Sequence, residues 1–66
     1  MTLHKFLTNC FSWQMIKIYD PDYPDVIEAR SFYVWQNPYS RLVDVTSALI
    51  TKDGIKIAVK NRGYQE

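Results

Sequence analysis

The side chains best equipped for chemistry gather between Tyr19 and Glu28, where Asp20, Asp22 and Asp25 are interleaved with Tyr19, Tyr23 and two prolines. Carboxylates at this spacing raise the question of a calcium loop. Pro21 and Pro24 stiffen the backbone where such a loop must bend, and its glycine and closing glutamate are missing. What the segment does offer is negative charge and aromatic surface on a chain with little freedom to lose on docking. Tyr19, Asp20, Asp22, Tyr23 and Asp25 are therefore candidate contacts to a basic protein surface, with the tyrosines as anchors. An ordinary acidic turn is the competing reading, and the commoner use of such residues.

A second group, Lys52, Lys56, Lys60 and Arg62, runs down the C-terminal part of the chain. Lys56 and Lys60 fall on one side of an extended segment, so with an aromatic such as Trp13 or Tyr64 they could follow a phosphate backbone. The group lacks the aromatic signature of an RNA-recognition motif. Lysines on the solvent side of an edge strand also guard against sheet-to-sheet pairing, which is the more routine role. A third feature is aromatic surplus. Trp13, Tyr33, Trp35, Tyr39 and Tyr64 exceed what a small sheet can bury, so Trp35 and Tyr39 join the candidate interaction surface, and a second copy of the chain is another way to cover the excess.

Catalysis is not expected. With His4 and Cys10 the only histidine and cysteine, and six positions apart, no nucleophile–base–orienter set or structural zinc site can be assembled. Gly54 and Gly63 are the only glycines, which excludes a glycine-rich phosphate loop. No cofactor is implied.

Composition bounds the rest. Sixty-six residues make a single small domain, 1–66, with a marginal core and no disulfide to brace it. A formal net charge of +1 excludes a strongly basic nucleic-acid binder and a strongly acidic nucleic-acid mimic as descriptions of the whole chain. No apolar run approaches the length of a membrane span, and the first residues lack the apolar core of a secretory signal, so the expected location is the cytoplasm.

The elements that must position these groups follow from periodicity. Leu3, Phe6, Leu7, Cys10 and Phe11 form the stripe of an amphipathic helix, with Thr2 as N-cap. Alternation from Trp13 to Tyr19 predicts a strand. The run from Val26 to Gln36, rich in β-branched and aromatic residues, predicts the central strand, closed by a turn at Asn37-Pro38-Tyr39-Ser40. Residues 41–51 fit a strand leading into an Asp53-Gly54 hairpin, or a short helix from Asp44 with Gly54 just past its end. Ile55–Lys60 is the cleanest strand, and 61–66 reads as a flexible polar tail.

The fold expected is α+β: a short N-terminal helix packed on a three- to four-stranded antiparallel sheet in meander order. The alternative is an all-β, SH3-like or OB-like small barrel. The function expected is a non-catalytic protein-interaction module that binds or inhibits a larger protein, of the kind common among accessory proteins of phages and mobile elements. The alternative is a small nucleic-acid-binding module using the basic C-terminal strand.

Overall fold

The structure, a computed structural model, describes residues 1–62. It is an α+β fold, with short helices on one face of a four-stranded mixed sheet. Thr2 opens α1 (Leu3–Thr8) as expected, its Oγ1 accepting from the Lys5 amide at 3.1 Å. Leu3 and Leu7, one turn apart, are buried, and Phe6 and Cys10 pack beside them. The helix ends at Thr8, so Phe11, the last member of the expected stripe, lies beyond it and is 67% exposed.

Strand β1 (Met15–Tyr19) pairs antiparallel with β2 (Ile27–Arg30), Ile16 opposite Ala29 and Ile18 opposite Ile27. Here the expected long central strand is overturned. The chain leaves the sheet at Ser31 and turns into α2 (Ser31–Trp35), and β2 is an edge. The reason lies in the partner. Continuing the register would set residues 31–36 against residues 9–14, which bend away after α1. Without a partner strand, local β preference loses to packing. The helix buries Ser31 and Val34 at i and i+3, and the Ser31 amide closes the sheet by donating to the Gln14 carbonyl at 2.7 Å.

A 3₁₀ turn (Pro38–Arg41) follows, with Asn37 Oδ1 accepting from the Tyr39 amide and Pro38 in its first turn. Then β3 (Val43–Thr51) and β4 (Gly54–Asn61) form the hairpin, which removes the helical alternative for this stretch. Gly54 takes a φ of 135°, and a Cβ there would stand 2.5 Å from the Met15 carbonyl oxygen, so only glycine fits.

The strand order is β2-β1-β4-β3, with β1 and β4 parallel. A meander is therefore not formed, and β4 is an inner strand rather than an edge. Asn61, expected in the tail, belongs to β4, and the Arg62 amide donates to the Leu42 carbonyl at 3.0 Å; residues 63–66, Tyr64 among them, lie outside the described residues. A bulge between Val45 and Ser47 shifts the phase of β3. Val43 and Val45 before it, and Ala48 and Ile50 after it, thereby share the inner face with Ile55, Ile57 and Val59. Leu3, Leu7, Val34, Ile16, Ile18, Ile57, Val43 and Val59 make the buried core.

Candidate functional site

The acidic loop is built around one buried carboxylate. Asp20 is 6% exposed; its Oδ1 accepts from the Asp22 amide at 2.8 Å, and its Oδ2 accepts from the Tyr39 hydroxyl at 2.6 Å. The first bond is an Asx turn that sets the loop's entry, and the second pins the loop to the 3₁₀ turn. Burial, then the hydrogen bond to Asp20, then the negative charge nearby hold the Tyr39 phenol well above its ordinary pKa. Asp20 is thus a support for the site, not one of its contact surfaces. Asp22 and Asp25 remain exposed on the loop.

Beside this loop opens a groove of about 600 Å³. Its aromatic walls come from separate segments: Tyr23 of the loop, Tyr33 of α2 and Tyr39 of the 3₁₀ turn, with the Tyr23 and Tyr39 rings 6.1 Å apart. Ile27 and Ala29 of β2 form part of the floor, and Asp25 stands at the rim. Among the described residues, no lysine or arginine lines it. Tyr33, 61% exposed, was not among the candidate contacts. Read as strand, it shares a face with Trp35; on a helix the two diverge, and only the break at Ser31 sends Tyr33 to the groove.

Other candidate residues lie elsewhere. Trp35 stacks on His4 at 4.9 Å between centroids, and its Nε1 donates to Thr8 Oγ1 at 3.1 Å, so it clasps α2 to α1. Arg41 Nη2 lies 3.3 Å from His4 Nε2 on the same patch; since a guanidinium only donates, the imidazole is the acceptor. Tyr19 lies on the outer face of the sheet, 41% exposed.

Among the described residues, no helix covers that outer face. Lys17, Lys56 and Lys60 share it, Lys17 directly beside Lys56 in the parallel register and Glu28 on its other side. Arg62 reaches Asp44 at 3.5 Å, and Lys60 sits opposite Asp44, so part of the basic group is neutralised locally. Lys52 is in the hairpin turn. Lys17 was missed because its partner is brought to it only by the long-range β1–β4 pairing.

Among the described residues, no group of three or more His, Cys, Asp or Glu side chains is placed to hold a metal ion, and no helix is long and apolar enough to cross a membrane. No protein-family model, curated protein or solved structure matches the chain.

Proposed function

We propose that the protein is a non-catalytic interaction module whose groove takes an extended, basic segment of a larger protein. The observation that carries this reading is the convergence of Tyr23, Tyr33 and Tyr39 on one open groove beside a loop pinned by Asp20. Tyrosines supply large contact area with few torsions to freeze, and a stiffened, hydrogen-bonded loop lowers the ordering cost of binding. Asp25 in the lining and Asp22 exposed on the adjoining loop, with no cation among the described residues of the lining, favour a Lys- or Arg-bearing partner. An inhibitory or accessory role toward that partner is the natural use of so small a binding unit, and a phage or mobile-element setting remains part of the proposal.

The test is parallel capture from nuclease-treated lysate with the wild-type chain, Tyr33→Ala with Asp25→Lys, and Lys56→Glu with Lys60→Glu. A stoichiometric protein retained by the wild type and the lysine variant, but lost with the groove variant, is expected. Retention by all three would remove the groove from consideration.

A second reading is favoured by one observation, the helix-free sheet face on which Lys17 and Lys56 stand side by side with Tyr19 and Lys60 nearby. Like charges in adjacent register are unfavourable; Glu28 beside Lys17 offsets part of this repulsion, and a bound anion would offset more. On this reading the face binds single-stranded nucleic acid, Tyr19 stacking on a base. Its signature is an affinity that falls steeply with salt, with a log–log slope reduced by about 0.7 for each phosphate contact removed, as in Lys56→Glu.

A further inference from the structure

The two edges of the sheet are finished differently. β2 is short and carries Glu28 and Arg30, features that discourage pairing with another chain. β3 is longer, and its run Val45-Thr46-Ser47-Ala48-Leu49-Ile50-Thr51 contains no charge, proline or glycine. Part of this edge is already covered. Thr2 bridges Asp44, and the Val45 amide donates to the Met1 carbonyl at 2.9 Å. Among the described residues, none pairs with the edge from Thr46 to the Lys52-Asp53 turn. In a hairpin with Thr51 facing Gly54, the peptide groups of Thr51, Leu49 and Ser47 point to β4, and those of Ala48 and Ile50 point outward.

We infer that this half-edge pairs with its own copy, joining two sheets through antiparallel β3 strands about a two-fold axis at Leu49. The register follows from the two boundaries. The arm at Met1 and Thr2 blocks the edge through Val45, and the turn ends it at Lys52. The overlap available to two copies is therefore 46–52, whose midpoint is residue 49. This register sets Ala48 opposite Ile50 of the second copy, both with outward peptide groups, which is what a hydrogen-bonded antiparallel pair needs. Leu49 then meets its own copy in a non-hydrogen-bonded pair on the outer face, where it is 62% exposed in the single chain.

The inner face supports the same contact. Ile50 is 81% exposed, and it borders a groove of about 550 Å³ walled by Met1, Phe6, Phe11 and Ile55. A second copy would cover Ile50 and part of this groove with its own Ala48 and Ile50. Pairing over so short a length belongs with the small interfaces, below about 1,200 Å² in total. The expected dissociation constant is micromolar. The contact lies at the opposite edge of the sheet from the tyrosine groove, so it stands or falls independently of the proposed function.

Sedimentation of the full chain from about 1 to about 500 µM should show a reversible monomer–dimer equilibrium centred in the micromolar range. Leu49→Lys, which places the usual edge guard on an exposed position, should abolish the dimer without changing the circular dichroism. In a Cys10→Ala background, Leu49→Cys should form an intermolecular disulfide on mild oxidation, because cysteines in a non-hydrogen-bonded pair are about 4.5 Å apart at Cα. Ile50→Cys, whose partner is Ala48, should cross-link at least tenfold more slowly. A monomer throughout, open-ended association, a dimer that survives Leu49→Lys, or equal cross-linking at both positions would each overturn the inference.

Discussion

The contact between Tyr39 and Asp20 ties the loop to the turn. The Asp20 carboxylate is almost wholly covered, with the Tyr39 hydroxyl and the Asp22 amide as its hydrogen-bond partners. Tyr39→Phe removes one of them and leaves a buried acceptor under-satisfied, an expected cost of about 1–3 kcal/mol in urea unfolding. The same pair fixes a pH response. The Tyr39 pKa is raised in the folded chain, chiefly by burial. Its contribution is therefore fully present below the unfolded phenol's pKa of about 10 and is lost as pH rises above that value. Stability measured from pH 9 to 11.5 should fall more steeply for the wild type than for Tyr39→Phe; parallel curves would refute the assignment. Neither partner identifies the other in the sequence, because the loop and the turn that carry them are 19 positions apart. The acidic loop itself was legible, as charges between prolines, but which of its carboxylates turned inward was not.

Short elements with local signals were the legible ones. The Thr2 cap, the Leu3 and Leu7 stripe and the Asp53-Gly54 hairpin each depend on neighbours within a few residues, and each forms as its residue types dictate. The segment 31–36 had an equally strong local signal and forms a helix, because strand formation needs a partner and the pairing register offered none. Val34 and Ser31 at i and i+3 were the only hint. The tyrosine groove inherits that difficulty, since Tyr33 enters it only from a helix. The bulge at Thr46 is equally invisible in β3's own alternation; it shows only once β4 sets the inner face. At the hairpin the local signal has a tertiary cost behind it. Gly54→Ala meets both an unfavourable φ and the Met15 carbonyl, so a loss of about 1–3 kcal/mol and a melting temperature lower by roughly 5–20 °C are expected in a thermal scan. An unchanged melting temperature would mean that β1 and the hairpin do not approach as closely as described.

Across the whole molecule, opposite charges are partly segregated, although Glu28 and Asp44 sit among the lysines of the sheet. The exposed carboxylates Asp22 and Asp25 stand on the loop after β1, and Lys17, Lys56 and Lys60 spread over the outer sheet face. A net charge of +1 conceals this separation, which is why composition could exclude global descriptions and still leave both binding readings open. The sheet order has a consequence of its own. β4 lies between β1 and β3 and joins them, so ending the chain after Ala58, which removes Val59 from the core, should abolish cooperative thermal unfolding followed by circular dichroism. A sharp transition in that truncated chain would refute the arrangement. The same order governs how the protein is born. Ile16 must wait for Ile55, about 40 residues and roughly 2–8 s of synthesis later at about 5–20 residues per second. Until then β1 lacks its parallel neighbour, and Ile16 and Ile18 have only α1, α2 and β2 to pack against. Slowing translation would therefore prolong the life of a half-sheet with an open edge at β1 instead of helping it fold.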